Sequence, residues 1–232
     1  MSKAKETYEI KKVNPIAKYL VLVVLFALPL VAYLFFLQGK HHFDTLPVMR
    51  EQIGTLDGFV ALDGSSVQLK DSVSVITFLG NQPYSRLGYV SNINEKIYKE
   101  FHEFETFQMI SIIPKSGVKD ISEILFQMQE TTDIEDWHFI TASDEEINSF
   151  FQSLNSGLPI NADLSSDYAF ITDKNKALRG RPEDDEDVAV YGYDTSSIAT
   201  LQKKMIDDMR VLLAEYRFAF KKNRDEQIKN DE

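Results

Sequence analysis

The 232-residue chain contains no cysteine. This absence excludes disulfide bonds, thiol catalysis and every metal site that needs a thiolate ligand. It does not fix the cellular compartment, because an exported protein does not require a disulfide. Glycine-rich phosphate loops and a Gly-x-Ser-x-Gly nucleophile motif are absent as well. No residue pattern points to a catalytic centre, so we predict that the chain is not an enzyme and carries no cofactor.

Positive charge is scarce outside the first residues. The net charge is −11 at pH 7, although residues 1–18 contain five lysines and only two glutamates. The remainder is therefore strongly acidic, and phosphate backbones would repel it. We predict that nucleic acid is not a partner, and we assign residues 1–18 as a basic tail.

A long uncharged run, YLVLVVLFALPLVAYLFFL, covers residues 19–37. A bilayer core requires about 20 apolar residues in a helix, so we predict a transmembrane helix over 19–38. A cleaved signal peptide would have a shorter apolar region, of about 7–15 residues, and a small-x-small cleavage site. Because the lysines precede the span, the positive-inside rule places the tail in the cytoplasm. The main domain is then expected on the outer side of the inner membrane, in the periplasm or another extracytoplasmic space.

Short apolar runs predict the strands of a sheet. SVSVITFL, residues 72–79, is β-branched and mostly apolar, as a buried central strand is. Residues 58–69 predict a hairpin around an Asp-Gly turn. YAFIT and the ALRG segment after it predict a second hairpin over 168–180. Further strands are expected in FQMISII (107–113), WHFIT (137–141) and VAVYGY (188–193).

Helical periodicity separates these strands. Apolar residues recur every three or four positions over about 86–105, which predicts an amphipathic helix. Ser143 followed by Glu146 is a capping box that begins another helix. Similar spacings mark a helix after Pro114 and a long helix near the C-terminus. Because strands and helices alternate, we predict a layered α/β domain with a partly parallel sheet.

Four segments resemble the Sco/SenC family in the same order: GFVALDGSSVQLKD, IIPKSGVKDISEILFQMQ, DWHFITASDEEINSFF and YAFITDKNKALRG. Members of that family are membrane-anchored, thioredoxin-fold proteins of cytochrome c oxidase assembly. The resemblance implies a thioredoxin-like fold, with a central mixed sheet flanked by helices. It also implies a protein partner in the respiratory assembly machinery.

The resemblance completes the predicted domain organisation. The basic tail (1–18) and the transmembrane helix (19–38) are followed by a linker over 39–55. The thioredoxin-like, Sco-type domain is expected over 56–215. A charged C-terminal tail then covers 216–232.

The family binds copper through two cysteines, four positions apart, and a histidine, and this chain has none of the three. Aligned on Pro83, Gln82 stands at the first cysteine and Arg86 at the second. Ser165 or Ser166 stands at the histidine. Cu(I) prefers thiolate, thioether or imidazole donors, and a guanidinium repels a cation. We therefore predict no metal at these degenerate family-site positions.

Two interpretations of the turn over 81–86 stay open. Tyr84 and Arg86 are residue types that are favoured at interface hot spots, so the turn is a contact for a protein partner in the first interpretation. In the second, the turn only joins a strand to a helix, with Pro83 fixing the bend and Ser85 capping the helix.

The favoured function is a membrane-anchored, non-catalytic, Sco-like binding or assembly module. A second hypothesis is a copper carrier with ligands that the family does not use. His41, His42 and the acidic loop 182–187 would supply the imidazole and carboxylate donors. A third is an envelope protein of the same fold without a link to respiration, because a fold alone does not determine a function.

Overall fold

The computed structural model describes residues 15–37, 45–183 and 189–217, without the side chains of residues 17 and 35–37. The described residues fall into two compact units, one that contains residues 15–37 and one that contains the residues from 45 onward. The first unit consists of helix α1 (Pro15–Leu37), which contains Pro29. Within the described residues, no helix combines the length and the apolar character that crossing a membrane requires. The predicted transmembrane helix is therefore not supported.

In the part of the chain that the structure describes, the second unit contains a central mixed sheet of eight strands. Its strands are β1 (Val48–Arg50), β2 (Val60–Ala61), β3 (Val73–Phe78), β4 (Phe107–Pro114), β5 (Trp137–Ala142), β6 (Tyr168–Thr172), β7 (Leu178–Arg179) and β8 (Tyr193–Asp194). They pair in the order β1-β7-β6-β3-β4-β5-β2, and β8 pairs with β6 outside this path. β3, β4 and β5 are parallel, and the other pairs are antiparallel. The predicted partly parallel sheet is confirmed.

Helices lie between the strands of this sheet and after the last of them. They are α2 (Leu87–Ile93), α3 (Lys99–Phe101), α4 (Ile121–Gln129), α5 (Asp144–Leu154) and α6 (Ile198–Thr200). A π-helical turn, Asn94–Tyr98, joins α2 to α3, which confirms the helix predicted near 86–105. Helix α6 continues through the π-helical turn Leu201–Met205 and then over 206–217. The predicted long C-terminal helix is thus confirmed up to the last described residue.

Both faces of the sheet are buried. On β3, Val75 belongs to a core cluster that includes side chains of α2, α4 and the C-terminal helix. Its neighbour Ile76 belongs to a second cluster, which includes side chains of α5. All residues of β3 and β4 are buried, because apolar residues cover both faces of these parallel strands. This is the layered arrangement that the alternation of strands and helices predicts.

The capping box at the start of α5 is confirmed. Ser143 Oγ accepts a hydrogen bond from the Glu146 N–H over 3.3 Å, and Glu146 Oε2 accepts one from the Ser143 N–H over 2.8 Å. The hydrogen bonds from the Ser143 side chain and backbone lower the pKa of Glu146. Glu146 therefore stays ionised and keeps accepting at neutral pH.

Two strand predictions are wrong. A turn does form near residue 64, where the Gly64 N–H donates to the Ala61 carbonyl over 3.1 Å. However, β2 pairs with β5, and 67–69 form no strand. The expected hairpin is absent here because β5 satisfies the backbone groups of β2. Of the strand predicted over 188–193, residue 188 lies outside the described ranges, Val190 forms only an isolated β-bridge with Arg181, and Tyr193 belongs to β8.

The boundary of the predicted linker over 39–55 is also wrong. Strand β1 lies within it and pairs with β7. Leu46 and Ile53 are buried, and the carbonyl of Leu46 accepts a hydrogen bond from the guanidinium of Arg179. Residues from 45 onward therefore belong to the domain. The sequence alone does not predict so short a strand. The strand is defined by its pairing with β7 and not by a periodicity of its own residues.

Candidate functional site

The predicted site lies where two loops meet, one after β3 and the other before β6. β3 and β6 are antiparallel neighbours, so the residues that follow β3 lie beside those that precede β6. The backbone joins the two loops directly. Leu79 forms a β-bridge with Ser165, and the Asn81 N–H donates to the Asp163 carbonyl over 3.0 Å. The sheet topology thus brings together the positions that were predicted to match the family's two cysteines and its histidine.

Gly80 permits the close approach of these loops. Its φ of +73° lies in the left-handed region that glycine enters without steric cost. A Cβ at this position would lie 2.8 Å from Asp163 Oδ2 and 2.8 Å from Ser165 Cβ. On the other side, a Cβ at Gly117 would lie 2.8 Å from the Gly80 carbonyl oxygen. The loop after β3 is therefore confined between the loop before β6 and the turn before α4.

Arg86 connects the two loops through its guanidinium. One terminal nitrogen donates to Ser165 Oγ over 2.6 Å, and the other donates to the carboxylate of Asp167. The Arg86 side chain is only 14% exposed, and its guanidinium carbon lies 4.9 Å from the centre of the Tyr89 ring. Charge-assisted hydrogen bonds of this kind are among the stronger polar contacts in proteins. We refer to Arg86, Ser165 and Asp167 as the loop bridge.

Ser165 uses its whole hydrogen-bonding capacity inside this site. Its hydroxyl donates to Asp163 Oδ1 over 2.6 Å and accepts from Arg86 and from Asn161 Nδ2, the latter over 3.0 Å. A hydroxyl offers one donor and two acceptor lone pairs, and all three are engaged. The hydroxyl of Ser166 donates to a backbone carbonyl over 3.1 Å. Ser165 and Ser166, the two serines predicted to match the family's histidine, thus form hydrogen bonds with other groups of the protein.

The remaining predicted positions lie on the outer side of the turn. Gln82 is exposed and precedes a short 3₁₀ turn, and its side chain makes no capping hydrogen bond. Tyr84, within that turn, is 50% exposed. The prediction that Ser85 caps the helix is wrong, because its hydroxyl donates to the Gln82 carbonyl over 2.7 Å instead of accepting from a helix N–H. Gln82 therefore takes no part in the loop bridge.

Asp167 and Tyr89 are site residues that sequence reasoning missed. Asp167 follows the two predicted serines directly. Its role depends on the burial of Arg86, which requires a carboxylate nearby and which only the structure shows. The sequence carries no signal for Tyr89 either, because its position beside Arg86 depends on the turn that begins α2.

The residues of the copper-carrier hypothesis are largely outside the described ranges. His41 and His42 lie there, and so do residues 184–187 of the acidic loop. Among the residues that the structure does describe, no group of three or more His, Asp or Glu side chains is arranged to hold a metal ion. The copper-carrier hypothesis and the prediction of no metal both stay predictions.

The topology and the site loops define the class of protein. Three parallel strands, an antiparallel hairpin beside them and helices on both faces form a thioredoxin-like α/β fold. The site lies after the central strand β3, and it contains a guanidinium in place of thiols. The predicted fold class is therefore confirmed for the second unit.

The solved structure of BsSco agrees with this assignment of the fold. BsSco, a member of the Sco family of cytochrome c oxidase assembly proteins, has 14% identity and a TM-score of 0.55, over 73% of this chain and 98% of that chain. Copper-bound ScoI of Bradyrhizobium japonicum has 15% identity and a TM-score of 0.40, over 69% of this chain and 99% of its own. Yeast Sco1 has 13% identity and a TM-score of 0.41, over 69% and 95%. No protein family and no curated protein matches the chain by sequence. The resemblance to Sco proteins is thus confirmed at the level of the fold.

Proposed function

We propose that this protein is a non-catalytic, Sco-like binding module that acts in cytochrome c oxidase assembly and carries no copper. The loop bridge is the observation that carries the proposal. Arg86, at the second cysteine position, contacts Ser165, at a histidine position, over 2.6 Å. The permanently charged guanidinium of Arg86 lies between these two positions, where it contacts Ser165 and Asp167. A guanidinium repels a metal ion. The fold shared with BsSco supports the link to oxidase assembly.

The partner contact lies on the outer side of the site turn in this proposal. Tyr84 lines an open depression of about 590 Å³ together with Gln82, Lys119 and Glu123. A half-exposed tyrosine offers a large, rigid contact area, which is typical of an interface hot spot. Arg86 is mostly buried and contacts Ser165 and Asp167 in the loop bridge. It therefore serves the contact by fixing the turn, and Tyr84 supplies the contact area.

The proposal also includes a location at the inner membrane, with the N-terminus in the cytoplasm and the main domain in the periplasm. It rests on the uncharged run over 19–37 and on the lysines that precede it.

Copper titration separates the binding module from a copper carrier. The full-length chain, purified in a mild detergent, is expected to leave Cu(I) bound to a coloured competing chelator such as bicinchoninate. The reason is that Gln82, Arg86 and Ser165 offer no soft donor. Stoichiometric removal of copper from the chelator would contradict this expectation. If the double substitution of His41 and His42 with alanine then abolished the binding, the copper-carrier hypothesis would replace ours.

Affinity capture tests the partner contact. The tagged full-length chain is expected to retain components of the oxidase or of its assembly machinery from detergent-solubilised membranes. Tyr84→Ala is expected to weaken this retention by roughly 30-fold, because a hot-spot residue contributes about 2 kcal/mol. Phe104→Ala is the matched control, since Phe104 is an exposed aromatic residue remote in sequence from the turn. Retention that does not differ between the two variants would exclude the turn as the contact.

A further inference from the structure

A groove beside α4 and the start of β5 forms a second surface. It has a volume of about 450 Å³, and Leu62, Leu125 and Ile134 line it over a floor of Trp137 and Phe139. The first three of these side chains are partly buried against the core, so the apolar lining of the groove is continuous with the core. None of these residues belongs to the loop bridge.

The rim of the groove is negatively charged. Asp63, Asp133 and Glu135 line it, and the described lining includes no lysine or arginine. Ser65 donates to Asp63 Oδ1 over 2.9 Å, and hydrogen bonds from its side chain and backbone lower the pKa of Asp63. Asp133 Oδ1 accepts from the Glu135 N–H over 3.1 Å, which fixes the orientation of that carboxylate.

Two of these acids, together with Asp136, act on the phenol of Tyr98. Burial first, and then the charges of Asp136, Asp133 and Glu135, raise the pKa of Tyr98 to about 12. The hydroxyl of Tyr98 accepts from the Asp136 N–H over 3.1 Å, so it lies under this rim. The carboxylates therefore create a negative potential that extends into the protein below the groove.

We propose that this groove binds a basic peptide segment of a partner protein. The segment places a large apolar side chain on the floor and lysine or arginine side chains against the three carboxylates. Charge complementarity selects this occupant, because an acidic rim attracts a cationic segment and repels an acidic one. An apolar centre with a polar rim is the common anatomy of protein interfaces. The inference is independent of the proposed function, since it involves neither Tyr84 nor the loop bridge.

Trp137 makes the groove directly observable. It is the single tryptophan of the chain, and its indole N–H donates to Ser111 Oγ over 2.9 Å, which fixes the ring. A short amphipathic peptide of leucine and lysine, titrated into the full-length protein, is expected to change the tryptophan fluorescence saturably. The same peptide with glutamate in place of lysine is expected to cause no change. A lysine peptide without a saturable effect would overturn the proposal.

A matched pair of double variants tests the location of the site. Asp133→Asn with Glu135→Gln is expected to raise the dissociation constant of the lysine peptide about three- to tenfold, because two rim charges are lost. Glu103→Gln with Glu105→Gln removes two exposed carboxylates at the same spacing and is expected to change it less than twofold. An equal loss in both variants would indicate attraction to net charge alone and would overturn the proposal. If the groove does not bind the lysine peptide, the affinity capture with Tyr84→Ala still tests the proposed function. If that capture fails, the peptide titration still tests the groove.

Discussion

Asp173→Ala is expected to lower the free energy of unfolding by about 3–5 kcal/mol, because it removes one partner of a buried ion pair. Arg179 Nε lies 2.7 Å from Asp173 Oδ2, and the two side chains are only 8% and 2% exposed. The other carboxylate oxygen of Asp173 accepts from the N–H groups of Asn175 and Ala177 over 2.8 and 2.9 Å. The substitution therefore also removes the acceptor that orders the β6–β7 turn.

The remaining partners of Arg179 do not compensate for this loss. Burial alone would lower the pKa of Arg179, but the hydrogen bond and the charge of Asp173, with smaller contributions from Glu215, outweigh burial and raise it. Arg179 thus stays charged and needs a counter-ion inside the fold. Glu215 lies at 3.3 Å and is 27% exposed, so it is a longer and more hydrated partner. Because Arg179 also donates to the Leu46 carbonyl, the loss is expected to loosen the segment before β1 and the C-terminal helix together.

Urea denaturation of the full-length chain, followed by circular dichroism, measures the change. Asp173→Asn keeps an oxygen for the turn and removes only the charge, so its stability is expected between those of Asp173→Ala and the original chain. Glu100→Ala is the control, because it removes an ion pair with Arg210 in which both side chains are about half exposed. We expect the control to leave the midpoint nearly unchanged. A loss in Asp173→Ala no larger than that of the control would show that the buried pair does not stabilise the fold.

Gly80→Ala is expected to destabilise the protein and to open the loop bridge. An alanine at a φ of +73° costs about 1–2 kcal/mol in the left-handed region. Its Cβ would also lie 2.8–2.9 Å from atoms of Asp163 and Ser165, and such overpacking costs a further 1–3 kcal/mol, roughly. The loop before β6 must then move, which separates Ser165 from Arg86.

Gly64→Ala separates the two contributions. Gly64 has a similar φ of +78°, but no atom lies within 4 Å of its Cβ position. This control is therefore expected to show only the backbone cost, and the difference between the variants measures the crowding at the site. Hydrogen exchange of the Asn81 N–H, which donates to the Asp163 carbonyl, is expected to accelerate in Gly80→Ala alone. Equal exchange rates in both variants would mean that the loops tolerate the extra methyl group.

The elements that sequence analysis predicted correctly are those whose signal is local. β3 and β4 follow from mostly apolar, β-branched runs. The capping box of α5 follows from two residues three positions apart. In each case the residues that carry the signal are also the residues that form the structure. The pairing of β2 with β5 and the existence of β1 gave no such signal, because distant strands supply their hydrogen bonds.

The same division holds for the site. The sequence by itself excluded thiol chemistry, because a missing cysteine cannot be restored by any fold. The resemblance also predicted Arg86 at the second cysteine position and Ser165 or Ser166 at the histidine position, through the order of motifs along the chain. Only the tertiary structure decided that Arg86 binds Ser165 and Asp167. These two residues are 79 and 81 positions away from Arg86 in the sequence. The physical reason is that the antiparallel pairing of β3 with β6 brings the two loops together, and Gly80 lets them approach closely enough for the guanidinium to join them.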